Sequence, residues 1–135
     1  MTYVLDTNAV SALMKGEDAV VERLASHLPA EVTIPSPVIA EIAYGLERLP
    51  RSRRRRLLQA RFDLVCSEIP RAAWTDAVSH AYGRIKATLE RRGTRIEDFD
   101  AAIAAHALAL GATLVTANLE HMLRVPGLKV EDWAQ

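Results

Sequence analysis

Residues 3–8 have the sequence YVLDTN, in which three apolar residues that favour a strand precede three polar residues that suit the cap of a helix. Val10, Leu13 and Met14 continue the pattern at helical spacing as far as Gly16. The segment therefore predicts a strand, a turn and a helix in succession. Such units build sheets with parallel strands.

The same alternation of short strands and helices continues along the chain. We predict further strands over residues 32–34, 113–116 and 129–131, and helices over 17–29, 36–49, 51–65, 71–92 and 99–110. Ser36 is the expected N-cap of its helix, with Pro37 as the first helical residue. Trp74 is expected on the apolar stripe of the long helix. The pattern predicts an α/β fold with a short, mainly parallel central sheet.

Length and composition predict a single domain over residues 1–135. Half of the residues are apolar and a quarter are charged, as in ordinary globular proteins. The 17 basic and 17 acidic side chains cancel, so any attraction for a polyanion must come from local clusters. Cys66 has no internal disulfide partner, and we find no secretory signal or apolar membrane span. We expect a cytoplasmic protein without a membrane partner.

Three carboxylates stand alone in segments that are otherwise uncharged. Asp6 is the only charged residue in 1–14, Glu41 the only one in 32–46, and Asp100 the only one in 99–119. A buried carboxylate is costly unless it is paired or binds a metal, and these segments contain no Lys or Arg. We therefore expect the three to share a divalent cation. Oxygen ligands without Cys or paired His favour Mg²⁺ or Mn²⁺ over zinc.

Simpler roles remain open for each acid. Asp6 or Asp100 could cap the helix that follows it, and Glu41 could be an exposed helix residue. A phosphatase with Asp6 as nucleophile is disfavoured, because Asn8 stands where such enzymes usually carry a second acid. His106 is interpreted as a packed core histidine, since its spacing from Asp100 does not place the two on one helical face.

Arginines concentrate in residues 48–61, which contain half of the 14 arginines and no acid. Such a stretch is typical of a surface that binds RNA phosphates, although a solvated helix would look the same. The residues predicted to bind substrate are Arg51, Arg53, Arg54 and Arg55.

Four motifs, taken in order and spacing, resemble the PIN-domain family, and more closely the VapC-type toxins. They are LDTN at 5–8, Glu41 on its helix, FDAAIAAH at 99–106 and LVTAN at 114–118, with VPGLKVEDW at 125–133 extending the resemblance over the whole chain. The resemblance implies a PIN-like three-layer α/β/α sandwich and a toxin endoribonuclease dependent on Mg²⁺ or Mn²⁺. It also implies cleavage of structured RNA such as tRNA or rRNA, inhibition of translation, a VapB-type antitoxin as partner, and a homodimer.

Carried over residue by residue, the resemblance makes Asp6, Glu41 and Asp100 the metal-binding acids and Thr116 the hydroxyl that supports them. The sequence departs from the family at a fourth acidic position, where Asn118 and His121 stand. Asn118 could offer an oxygen to a metal or water, and His121 could bind phosphate or shuttle a proton. We expect a second ion to bind weakly or not at all. The alternative function is a catalytically impaired module that binds RNA or protein.

Overall fold

The computed structural model describes all 135 residues. The strands are β1 (Tyr3–Leu5), β2 (Val32–Pro35), β3 (Arg71–Ala72), β4 (Thr113–Val115) and β5 (Lys129–Glu131). The helices are α1 (Thr7–Met14), α2 (Asp18–Ala25), α3 (Ser36–Arg48), α4 (Arg53–Glu68), α5 (Asp76–Arg91), α6 (Asp98–Leu110) and α7 (Leu119–Met122), with a 3-10 turn over Pro29–Glu31.

The five strands form one sheet in the order β3-β2-β1-β4-β5, and every neighbouring pair is parallel. Tyr3 of the central strand lies opposite Val32 on one side and Thr113 on the other. The chain builds β2 and β3 on the first side before it crosses to β4 and β5. The strand order therefore reverses at the carboxyl end of β1, which is where open α/β sheets bind ligands. With helices flanking the sheet, the predicted α/β/α fold is confirmed.

One cluster of 30 buried apolar residues forms the core between the sheet and the helices. Val4, Leu5 and Leu114 have no exposed surface, as expected for the inner strands of a parallel sheet. Helix α6 is apolar nearly all round, and its residues from Ala101 to Ala107 are all buried. No helix combines the length and the apolar character needed to cross a bilayer.

The start of α3 differs from the prediction by one residue. Ser36 is already helical and Pro35 is the N-cap, so the prediction of Ser36 as the cap was wrong. The Ser36 hydroxyl instead donates to the carbonyl oxygen of Ala72, 3.2 Å away. The serine therefore ties α3 to the edge strand β3.

The helix predicted from residue 71 begins later. Arg71 and Ala72 pair with Ile34 and Pro35 of β2, and α5 starts only after Thr75, whose hydroxyl accepts from the Val78 backbone N–H. A neighbouring strand that is remote in the sequence overrides the local helical pattern here. The prediction for Trp74 was therefore wrong: it lies in the preceding loop, and 44 % of its surface is exposed.

An aromatic cluster fastens β5 and the residues after it to the sheet. The Trp133 ring stacks on His27 at 5.2 Å between centroids and contacts Tyr3 at 5.5 Å. Its indole N–H donates to Glu131, which also pairs with Arg23 at 3.0 Å. Because the Thr116 N–H donates to the Glu131 carbonyl oxygen, this cluster supports the end of β4.

Candidate active site

Asp6 lies at the carboxyl end of the central strand and is the N-cap of α1. Its Oδ1 accepts from the Ala9 N–H at 2.8 Å, so the capping role foreseen as an alternative is real. Only 4 % of the residue is exposed. Burial raises the pKa of Asp6 to about 6, bonds from Thr116 and Ala9 oppose the rise, and the charges of Asp100 and Glu41 add to it. Capping and membership of an acidic cluster therefore coexist in one residue.

Glu41 reaches the same region from α3. It is partly buried, and its Oε1 accepts from the Thr7 hydroxyl at 2.5 Å. Thr7 is the first residue of α1, directly after Asp6, so one turn of chain both presents the first carboxylate and holds the second. This role of Thr7 is not predictable from the sequence, since Glu41 is remote from Thr7 in the chain and no local pattern marks the pair.

Asp100 completes the group from the first turn of α6. Burial and the negative charge of Glu41 raise the pKa of Asp100, whereas the positive charge of His121 lowers it. The three carboxylates therefore interact electrostatically although three separate elements supply them. This coupling agrees with the prediction from the sequence that the three acids belong to one site.

No ion pair compensates these charges within the chain. The four salt bridges of the protein involve other carboxylates. The three acids do not form a complete set of metal ligands in this conformation, because no three His, Cys, Asp or Glu side chains lie close enough together to hold a metal ion. Like charges repel, and two of the acids are turned toward hydrogen-bond donors of the protein. A set of three carboxylates, one buried and two partly buried, that forms no ion pair with Lys or Arg fits a hard cation such as Mg²⁺ or Mn²⁺.

Thr116 and Asn118 follow β4, and the Thr116 hydroxyl bonds to Asp6. Thr116 is buried, and its hydroxyl oxygen accepts from the Asn118 N–H at 2.9 Å. The Asn118 amide nitrogen lies 3.0 Å from Nδ1 of His121. These three residues therefore form a connected polar chain that begins at the carboxylate site.

Comparison with known proteins places this arrangement in a family. The model of the PIN domain family matches residues 3–128. The chain belongs to the PIN domain family. The ribonuclease VapC2 of Rickettsia felis is 34 % identical to it over 137 aligned residues, covering 98 % of both chains. The tRNA(fMet)-specific endonuclease VapC of Salmonella typhimurium is 29 % identical, again over 98 % of both.

A crystal structure of VapBC2 from Rickettsia felis, bound to a DNA fragment from their promoter, contains a chain with the same fold. It superposes on this PIN domain with a TM-score of 0.88 at 32 % identity, and the match covers 98 % of this chain and 99 % of the other. The resemblance to the PIN-domain family and its VapC-type members is confirmed.

The arginine-rich segment of this PIN domain forms the end of a loop and the start of α4. Ser52 caps the helix, and Arg55 is held by Glu47 at 3.2 Å and by the Leu49 carbonyl oxygen at 3.1 Å. Arg55 thus braces the corner between α3 and α4. Arg51, Arg53 and Arg54 are exposed and form no ion pair.

A groove of about 260 Å³ lies between α1, α3 and α4. Glu41 and Thr7 lie at one part of its wall, and Leu49 and Leu58 at another. The groove therefore extends from Glu41 to Leu49, which precedes Arg51 by two residues.

His106 lies in the core, where the sequence analysis expected it. It has no exposed surface, neither ring nitrogen has a hydrogen-bond partner, and burial lowers its pKa. Its ring meets that of Trp74 edge-on, with 5.7 Å between centroids. It is not part of the carboxylate group.

Proposed function

We propose that this protein is a toxin endoribonuclease of the VapC type that hydrolyses phosphodiester bonds in structured RNA, tRNA or rRNA, with Mg²⁺ or Mn²⁺. The observation that carries the proposal is the electrostatic coupling of three carboxylates, none of them in an ion pair with Lys or Arg, near the switch point of a parallel sheet. The names of the Rickettsia felis and Salmonella typhimurium relatives support cleavage of RNA.

In this proposal Asp6, Glu41 and Asp100 hold the cation. A divalent cation, when bound, supplies neutralisation of phosphate charge and a more acidic water. The Thr7 hydroxyl donates to one oxygen of Glu41, and the Thr116 hydroxyl bonds to Asp6. These bonds restrict rotation of both carboxylates and so fix the direction of the oxygens that would bind the cation. With water as the nucleophile, hydrolysis leaves a 5′-phosphate on one product and a 3′-hydroxyl on the other.

The RNA backbone is proposed to bind along the groove toward α4, where Arg51, Arg53 and Arg54 offer free guanidinium groups to phosphates. Arg55, although also predicted to bind substrate, already has two partners within the protein. Its contribution would be to hold the corner that presents the other three.

We also propose a VapB-type antitoxin as partner and a homodimer as the assembled toxin. The partner proposal is supported by the Rickettsia felis relative, which was crystallised in a VapBC2 complex. Co-expression with the cognate VapB-type protein is expected to abolish growth arrest and RNA cleavage. Undiminished arrest at equal toxin levels would contradict the partnership, and light scattering of the purified toxin tests the dimer.

The nuclease proposal is tested by cleavage of purified tRNA and rRNA with Asp100→Asn and a matched control, Asp98→Asn. Asp98 is in the same turn of α6 but is exposed and pairs with Lys86 at 3.0 Å. The Asp100 variant is expected to lose more than about a hundredfold in rate, because even outer-shell changes at metal sites cost 10–100-fold. The Asp98 variant should keep the wild-type rate.

Chelation by EDTA should stop cleavage, and added Mg²⁺ or Mn²⁺ should restore it. Sequencing of the new RNA ends should give 5′-phosphates and identify which RNA is cut. Ends carrying 2′,3′-cyclic phosphate, or equal cleavage by wild type and Asp100→Asn, would refute the proposed hydrolysis. Binding of RNA without any cleavage would favour the alternative of an impaired binding module.

A further inference from the structure

The contact between Asn118 and His121 determines where the imidazole carries its proton. The Asn118 side-chain nitrogen lies 3.0 Å from Nδ1 of His121. An amide nitrogen can only donate, so Nδ1 must accept, and a neutral imidazole then has its hydrogen on Nε2. The ring therefore presents an N–H group on the side away from Asn118.

The backbone of Asn118 is held by two buried residues. Its backbone N–H donates to the buried Thr116 hydroxyl oxygen, and its carbonyl oxygen accepts from the N–H of the buried Met122. Asn118 precedes α7 as its N-cap residue, yet its side chain makes no capping bond. The amide is therefore available to orient His121.

The ring is partly open to solvent, and Asn118 links it to Thr116, whose hydroxyl also bonds to Asp6. Burial and the charge of Glu41 raise the pKa of Asp100, and the charge of a protonated His121 lowers it, so the ring and Asp100 are near enough to interact. Asn118 and His121 are each partly exposed, so an RNA strand at the carboxylates can reach them. A group placed here meets the phosphate that the site is proposed to cut.

We propose that Asn118 is a positioning residue that holds the Nε2–H of His121 as a hydrogen-bond donor to a phosphate oxygen of the bound RNA. This inference rests on the proposed nuclease function and names one atom, Nε2 of His121, that would contact the RNA. A carboxylate at residue 121 would repel the phosphate, whereas an N–H attracts it.

The first test reads the tautomer directly in metal-free protein. Long-range ¹H–¹⁵N spectra, with the His121 signals assigned by their loss in His121→Gln, should show the proton on Nε2. In Asn118→Asp the new carboxylate can only accept, so the proton should move to Nδ1 or the ring should become a cation. A wild-type ring protonated on Nδ1, or a ring unchanged in Asn118→Asp, would overturn the positioning role.

The second test compares two neutral replacements of similar size. His121→Gln keeps an N–H donor, whereas His121→Met has none, and Glu120→Gln changes the exposed neighbour as a control. Binding of labelled, pooled tRNA is measured by fluorescence anisotropy at pH 8 with Ca²⁺ in place of Mg²⁺ to slow cleavage. The Gln variant should bind within about threefold of wild type and the Met variant about tenfold more weakly, since bonds to charged groups are among the stronger ones.

These outcomes separate the contact from the nuclease function. Equal binding by the Gln and Met variants, with RNA still cleaved by the wild type in Mg²⁺, would refute the His121 contact alone. The expected binding order without cleavage by the wild type would refute the nuclease and leave the contact in place.

Discussion

Replacing Asp6 with asparagine is expected to stabilise the metal-free protein while abolishing its activity. The wild-type carboxylate is buried beside two other acids, and its pKa is raised to about 6 from an ordinary value of 3.8. Asparagine has nearly the same shape and keeps an oxygen for the Ala9 N–H. It carries no charge to bury, so the substitution removes the penalty and retains the helix cap.

The size and the pH window of the effect follow from the two pKa values. Between pH 3.8 and about 6 the folded protein retains the Asp6 proton that the unfolded chain has lost, so the stability contributed by Asp6 falls as pH rises through this window. Above it the penalty reaches at most about 3 kcal/mol. The advantage of Asp6→Asn should therefore be greatest near pH 7.5, about half as large at pH 5, and nearly absent at pH 4.

Urea unfolding in EDTA, followed by circular dichroism from pH 4 to 8, measures this difference. Asp63→Asn is the matched control, because Asp63 is exposed on α4 and hydrogen-bonds only to Gln59. Its free energy of unfolding should stay within about 0.5 kcal/mol of the wild type. Saturating Mg²⁺ should reduce or reverse the advantage of Asp6→Asn, because the cation stabilises only a protein that can bind it.

A destabilised Asp6→Asn variant at pH 7.5, or an advantage that does not change with pH, would refute the reasoning. The first result would mean that the charge of Asp6 is already compensated within the chain. The second would mean that the effect arises from packing and not from ionisation.

Three further predictions concern other parts of the molecule. As pH falls below about 6.5, the unfolded wild type binds a proton at His106 that the buried ring resists, so the free energy of unfolding should fall. His106→Leu should remove this loss, and urea unfolding at pH 7.5 and 5.5 measures the difference. Trp133→Ala should cost about 3–5 kcal/mol in urea unfolding, because it empties a fully buried site, and wild-type stability would contradict the role of the aromatic cluster. Thr7→Val should lower kcat/KM for RNA about tenfold by freeing Glu41, with rescue by Thr7→Ser; equal rates in both variants would deny the positioning role.

The sequence predicted the parts of this fold that depend on local pattern. The strand before Asp6, the end of α6 at Leu110 and the strand that follows α6 all lie where the hydrophobic spacing of the sequence predicted them. Edge strand β3 was not predicted, because a two-residue strand is too short to show an alternation of apolar and polar residues. Arg71 and Ala72 are extended because they pair with the neighbouring β2. The parallel order of the strands likewise follows from the complete chain and not from any single segment.

The candidate site was predictable for a different reason. Solitary charges in apolar segments identified Asp6, Glu41 and Asp100 before any contact was known, since a buried charge needs a partner. Thr7 and the tautomer of His121 could not be found in this way, because both depend on distances between side chains. Those distances are set by how α1 packs against α3 and by how α7 follows β4.

The central position of β1 also determines when nuclease activity can arise during folding. The strand that presents Asp6 is made first, yet its two neighbours come from residues 32–35 and from residues 113–115. Strands that are remote in the sequence pair slowly, because the entropy cost of closing the long loop between them must be met before their contacts stabilise the chain. The three carboxylates can meet only once α3 and α6 have packed beside β1, so a chain in which these elements are not yet packed carries no assembled site.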